Sequence, residues 1–218
     1  MKYRCLVMDH DDTVVRSAET VNYPALLLKL AQTHPERTIS FEDFTRECFQ
    51  YGFTGMCAHA LHLTPEEILD QFDAWKIYVR THIPPVYDGV GRIFQRFREN
   101  GGIVCVSSHS GVENITRDYQ QNFGFTPDAI YAYELGVELR KPNPYTLREI
   151  MRRFDLQPSE LLMVDDMKSG YDMAQQCAVP FACAGWSHFD EEIIAFMRQN
   201  SDIYFETPVQ MEAHLFDE

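Results

Sequence analysis

The 218-residue sequence has no stretch of the roughly 20 apolar residues that a membrane-spanning helix needs. It has no basic surplus either: 19 Lys and Arg stand against 33 Asp and Glu, a net charge of −14 without a basic stripe. Attraction to DNA, RNA or anionic lipid is therefore electrostatically unfavourable, and neither nucleic acid nor membrane is expected as a partner. Six cysteines, at positions 5, 48, 57, 105, 177 and 183, include no CxxC pair. Cys5 and Cys105 fall inside apolar runs, where a thiol acts as a small buried hydrophobe, and free thiols in a reducing compartment are the reading that follows. Met1–Met8 turns acidic at Asp9 without the apolar stretch of a secretory signal, so a cytoplasmic location is expected. Internal repeats and low-complexity segments are absent too. The remainder is 45% hydrophobic, 13% aromatic and 24% charged, which excludes a disordered chain, a collagen or a coiled coil. A chain this long buries about 70% of its unfolded surface and needs no disulfide or structural metal.

What the sequence does contain is a series of short apolar runs: Tyr3–Met8, Ile103–Ser107, Ala129–Tyr133, Leu161–Val164, Phe181–Ala184 and a weaker Ile203–Phe205. Most are continuous rather than alternating, as in strands covered by helices on both faces of a parallel sheet. Between them lie helical signals. Ser110-x-x-Glu113 and Ser187-x-x-Asp190 read as capping boxes, and Gly91–Glu99 carries Ile93, Phe94 and Phe97 before a Gly101-Gly102 stop. Strand and helix alternate over 86–207, which predicts a doubly wound α/β parallel sheet.

The first strand breaks that rhythm, because roughly 70 residues pass before the next element of the sheet. The interval is helical over Glu19–Gln32, Phe41–Phe49 and Glu66–Arg80, the last opened by a Thr64-Pro65-Glu66-Glu67 capping box with Pro at the first helical position. A loop this long does not stay structureless in a compact domain. The expectation is an α/β core of residues 1–16 and 85–218, with a small helical cap, 17–84, inserted after the first strand. Tyr51–Met56, with two glycines around an aromatic, is either a substrate-facing loop or a helix–helix connection.

In an open α/β sheet the ligand site lies at the carboxyl ends of the strands. The first strand ends in Asp9-His10-Asp11-Asp12-Thr13 and the second in Ser107-Ser108; the third is followed by Arg140-Lys141-Pro142, and the fourth ends in Asp165-Asp166. Carboxylates meeting from two strand ends repel one another unless a cation sits between them, and a hard divalent ion such as Mg²⁺ suits oxygen ligands. Lys141 and the Ser107 hydroxyl could hold a tetrahedral anion beside it. A carboxylate nucleophile, a metal, an ammonium and hydroxyl donors together describe phosphoryl transfer through an aspartyl-phosphate. Taken singly, each segment also has a structural reading: an Asx turn, a turn serine, a solvated lysine, a helix N-cap pair. Their order on successive strand ends favours chemistry.

In that order, the four segments resemble the four motifs of the haloacid dehalogenase superfamily, from Cys5 to about Pro180. The cap position is similar to the subfamily that includes phosphoglycolate phosphatases and β-phosphoglucomutases. The resemblance implies Asp9 as nucleophile and Asp11 as general acid and base, with its pKa raised. It implies Mg²⁺ held by the Asp9 carboxylate, the Asp11 backbone carbonyl and the Asp166 carboxylate. Asp165 would act behind the metal, Ser107 and the Ser108 N–H would bind phosphate, and Lys141 would neutralise it. Asp11 favours phosphate esters over haloacids, because a halide leaving group needs no proton. Two positions depart from the pattern: Asp12 stands where relatives have Gly, and Gly170 where many have Asp. His10 faces either the far side of its turn or the cap; His59 and His62 read as surface residues. The function expected is a Mg²⁺-dependent phosphatase acting on a small phosphorylated metabolite, as a monomer or homodimer. A phosphosugar mutase using the same intermediate and a non-catalytic binding protein are the alternatives.

Overall fold

The computed structural model describes residues 2–216. The chain divides into two compact units, Met1–Val15 with Val86–Glu218, and Arg16–Pro85. Six strands form one sheet: β1 (Cys5–Met8), β2 (Ile103–Ser107), β3 (Ala129–Tyr131), β4 (Leu161–Asp165), β5 (Phe181–Ala184) and β6 (Ile203–Phe205). Between β1 and β2 run α1 (Tyr23–Thr33), α2 (Phe41–His59), α3 (Pro65–Tyr78) and α4 (Val90–Glu99). Helices α5 (Val112–Phe123), α6 (Tyr145–Phe154), α7 (Lys168–Cys177) and α8 (Glu191–Asn200) join the later strands, and α9 (Pro208–Phe216) follows β6. Among the described residues no helix is long and apolar enough to cross a membrane.

All five strand pairings are parallel, in the order β3-β2-β1-β4-β5-β6, so the fold is the doubly wound α/β sheet expected from the apolar runs. The central strands read CLVM and LLMVD and are buried along their whole length; apolar up to the terminal Asp165, they can sit only where helices cover both sides. Phe94 and Phe97 from α4 and Ile115 and Tyr119 from α5 fill one such layer, with Phe94 stacked 5.4 Å from Tyr119. Burying each of these side chains contributes about 1.5–3 kcal/mol. The strand order reverses between β1 and β4, and that switch point opens a crevice at the carboxyl ends.

The helical unit has its own core of Leu26, Leu30, Phe44, Met56, Cys57, Leu61 and Ile68. The capping box at its third helix is formed: Glu67 N–H donates to Thr64 Oγ1 (3.3 Å) and Thr64 N–H to Glu67 Oε2 (2.8 Å). The second helix does not stop at Phe49. It continues to His59 across a kink at Gly52, whose φ of 69° and ψ of 171° are non-helical. Tyr51–Met56 thus holds the kink at which two helical stretches join, as a helix–helix connection rather than an open loop.

Two other expected caps differ. Helix α5 begins at Val112 with Gly111 as its N-cap, and Val112 N–H donates to the Glu134 carboxylate (3.0 Å to Oε1) rather than the start being closed by Ser110 and Glu113. In α8 the cap is Asp190 itself, accepting from Glu192 N–H (2.9 Å) and Ile193 N–H (3.1 Å), while Ser187 belongs to the preceding short turn. In both places a carboxylate already satisfies the first-turn donors, so the serine is not needed.

Candidate active site

Asp9 follows the last residue of β1, and its N–H donates to the Val164 carbonyl on β4 (2.8 Å). The register pairs Met8 with both Val106 and Val164, which sets Asp9 abreast of Ser107 on one side and Asp165 on the other. Beyond Asp9 the chain turns tightly: the His10 carbonyl accepts from Val14 N–H (2.9 Å) and Val15 N–H (3.1 Å), and Asp12 N–H donates to the Val15 carbonyl (2.7 Å). Asp12, in the position where the resemblance has glycine, is left-handed at φ 54°. Aspartate is one of the few side chains that tolerates this region. Asp11 lies half-buried between, bridged to Val15 through the main chain.

The loop after β3 brings Lys141 to the same place. Its Nζ lies 3.0 Å from Asp9 Oδ1 and donates to Asp165 Oδ2, and all three side chains are buried. Burial alone would push the ammonium toward neutrality, but the carboxylates of Asp165 and Asp9 outweigh it and raise the Lys141 pKa. Asp165 accepts a second bond on Oδ1 from Met167 N–H (2.7 Å). Burial lifts its carboxyl to about 7, with the Lys141 charge opposing. Gly170 explains how the carboxylate fits: a Cβ there would collide with it.

Asp166 points to the neighbouring position and accepts from Thr13 Oγ1 (3.2 Å). Its pKa is raised well above the ordinary range, by burial first and then by Asp165, Asp12 and Asp9. Its main chain is braced separately: His188 Nε2 donates to the Asp166 carbonyl (2.8 Å), and Tyr204 Oη lies 3.3 Å from the other nitrogen of that ring. His109 makes the equivalent contact with Lys141, donating from Nε2 to its carbonyl (3.0 Å). Burial and the Lys141 charge push that imidazole down to about 4, so it is neutral at pH 7.

Ser107, buried at the end of β2, lies level with Asp9. Ser108 differs from expectation. Its N–H closes the ladder to the Tyr131 carbonyl (2.9 Å), and its Oγ accepts from Ser110 N–H (3.2 Å), so that N–H is not turned toward an anion. The strand alternation that faces Ser107 to the crevice commits the next amide to β3. Thr13, Gly170, His109 and His188 belong to the constellation as supports that the strand-end motifs did not single out. Of these, Thr13 had a signal as the last residue of the DxDxT run, Gly170 as a departure from the family pattern and His109 as the residue after Ser107-Ser108, whereas His188 had none.

Residues 3–177 match the model of the haloacid dehalogenase-like hydrolases. The chain belongs to that family. No curated protein matches it in sequence. Solved structures do match in fold. CbbY from Rhodobacter sphaeroides, in complex with phosphate, is 17% identical, with 96% of each chain covered and a TM-score of 0.77. A predicted phosphoglycolate phosphatase from Haemophilus somnus is 14% identical over 99% of both chains, with a TM-score of 0.78. A haloacid dehalogenase-like family hydrolase from Streptococcus pneumoniae is 12% identical over 98% of this chain and 99% of its own, with a TM-score of 0.76.

The donor set of this haloacid dehalogenase-like hydrolase suits a hard cation. Asp9, Asp165 and Asp166 are buried, with one oxygen of each within 4.8 Å of the others. Among the described residues Lys141 is the ammonium at this cluster, and it is already shared by two of the three carboxylates. Asp9 Oδ1 lies near Lys141 at 3.0 Å but outside hydrogen-bonding geometry, so it is a buried oxygen without a hydrogen bond. Uncompensated carboxylates in a dry crevice call for a cation. Asp165 has both oxygens engaged, which leaves Asp9 and Asp166 as the carboxylates with capacity to ligate.

Proposed function

We propose that the protein is a Mg²⁺-dependent phosphatase that hydrolyses a small phosphomonoester through an aspartyl-phosphate on Asp9. The observation that carries this is the buried Asp9 at the switch point of the sheet, held by Val164 and Lys141, level with Ser107 and two residues before Asp11. The geometry supports the following roles. A carboxylate oxygen of Asp9 attacks phosphorus and the bond to the ester oxygen breaks. Asp11 gives that oxygen its proton, then takes one from the water that attacks the acyl phosphate, releasing inorganic phosphate and restoring the Asp9 carboxylate. Lys141 offsets charge on the phosphoryl oxygens and steers Asp9, and the Ser107 hydroxyl donates to one of those oxygens. Asp9 and Asp166, with the Asp11 carbonyl, would hold Mg²⁺, which supplies positive charge against the phosphoryl group when bound. That a fold neighbour was solved in complex with phosphate is in keeping with a phosphorylated substrate.

The test is turnover by the purified protein of a panel of phosphomonoesters with Mg²⁺, beside Asp9→Asn and an EDTA-treated control. Release of inorganic phosphate that both controls abolish is the expected result. Phosphate release indifferent to both would overturn the nucleophile and the metal together. An isomerised sugar phosphate without free phosphate would instead assign a mutase using the same intermediate.

A further inference from the structure

His10 stands between Asp9 and Asp11, yet no step of the proposed reaction uses it. Its ring is buried against α5, where Nε2 lies 3.1 Å from Asp118 Oδ2 and both side chains are 1% exposed. An ionised carboxylate only accepts, so Nε2 carries the proton and donates. Asp118 also accepts from Arg117 Nε (2.7 Å). Burial pushes its carboxyl upward, but the bonds from His10 and Arg117 outweigh that and hold it below the usual range. Tyr119, the next residue of the helix, places its ring 6.0 Å from the imidazole.

Stability alone does not account for this arrangement. His10 Nδ1 is buried without a hydrogen-bond partner, and an incompletely satisfied polar ring in a core is costly where an apolar side chain could pack. What the arrangement achieves is a connection. The His10 carbonyl closes the turn that carries Asp11 and Asp12, while its ring grips α5, the helix that follows the Ser107 strand end.

We propose that His10, held by Asp118, is a positioning residue that locks the Asp9–Asp12 turn to α5 and so fixes the nucleophile relative to Ser107. The proposal rests on the phosphatase reading. It is tested by steady-state hydrolysis of p-nitrophenyl phosphate with Mg²⁺ by wild type, Asp9→Asn, His10→Ala, His10→Gln and Asp118→Asn. Circular dichroism and gel filtration show which variants keep the fold. A nucleophile displaced by a fraction of its contact distance predicts a kcat lower by about 10²-fold in folded His10→Ala, with KM changed by less than about threefold. His10→Gln, which keeps a donor for Asp118, is expected to recover about tenfold of that loss. If His10→Ala does not fold, Asp118→Asn decides in its place, and its kcat is expected to fall while KM holds. A kcat within about twofold of wild type in the deciding variant overturns the positioning role, as does an equal loss in the folded Ala and Gln variants. Activity retained by Asp9→Asn is a different failure: it removes the nucleophile, and the proposal with it.

Discussion

Gly170 shows how a residue with no side chain shapes the chemistry around it. It stands where relatives often carry an acid, and its absence of a Cβ leaves the space that the Asp165 carboxylate occupies while it accepts from Lys141 and Met167. Gly170→Ala forces that carboxylate away. Overpacking of a dry, fully hydrogen-bonded position costs about 1–3 kcal/mol, and the displaced Asp165 no longer holds Lys141 toward Asp9. The expected outcome is a melting temperature lower by about 2–12 °C, with phosphatase turnover reduced by about tenfold or more. An Ala variant with wild-type melting and turnover would show that the crevice is looser than its hydrogen bonds imply. This fit was invisible in the sequence, where Gly170 registers only as a missing acid, because a close approach is a property of two segments folded together. The same holds for Ser108. Its type and place suggested an anion contact, but which way an amide turns is set by the β3 ladder, which one strand's sequence does not contain.

At the scale of elements, the buried strands were legible because their composition admits one environment: CLVM and the LLMV that precedes Asp165 have no face to give to water. Ile103–Ser107, Phe181–Ala184 and Ile203–Phe205 match the structure residue for residue. Helix starts were legible only where the capping partners are local. Thr64 and Glu67 satisfy each other within one turn, whereas α5 is capped from Glu134, 22 residues further on. The end of α2 was not legible for a related reason: the helical pattern stops at Phe49, whereas in the structure helix resumes and runs to His59 across a kink at Gly52. Its backbone, at φ 69° and ψ 171°, lies in a region essentially reserved for glycine. No atom stands within 4 Å of where a Cβ would go, so Gly52→Ala tests conformation without a clash. It should destabilise the fold by about 1–3 kcal/mol, read as a lower urea midpoint. In the helix that follows, Thr64→Ala should cost about 1 kcal/mol by removing one half of the capping box. If Gly52→Ala melts like wild type, the helix has straightened through that position.

Across the whole molecule, the cysteines and the charge make separable predictions. Cys5, Cys57, Cys105 and Cys183 are buried, Cys48 and Cys177 half-buried, and burial alone pushes the Cys57 thiol up to about 12. A thiol reagent at pH 8 should therefore react quickly with no more than two groups in the native protein and with all six after denaturation. Rapid native labelling of a third would contradict the packing of the strands or of the helical unit's core, where Cys57 lies. The charge bears on function. A protein of net charge −14 that is to bind a phosphate dianion must first overcome its own acids, and Asp9, Asp11, Asp12, Asp165 and Asp166 crowd one edge of the sheet. Lys141 cannot do this alone, because its ammonium is shared between Asp9 and Asp165. The Asp166 pKa is raised by burial first and then by its acidic neighbours Asp165, Asp12 and Asp9. A divalent ion on Asp9 and Asp166 would offset two of those five charges beside the one that Lys141 offsets, so the metal should govern binding of the anion as well as its reaction. Calorimetric titration of inorganic phosphate into the protein should give an affinity weaker by about tenfold or more in EDTA than in Mg²⁺, since one unit of opposite charge at about 4 Å in a site of intermediate dielectric exceeds the 1.4 kcal/mol that a factor of ten requires. Lys141→Met should weaken it in Mg²⁺ as well, by removing the other positive charge. Equal phosphate affinity with and without the metal would mean that the crevice already carries enough positive charge, and that the cluster of acids serves the fold.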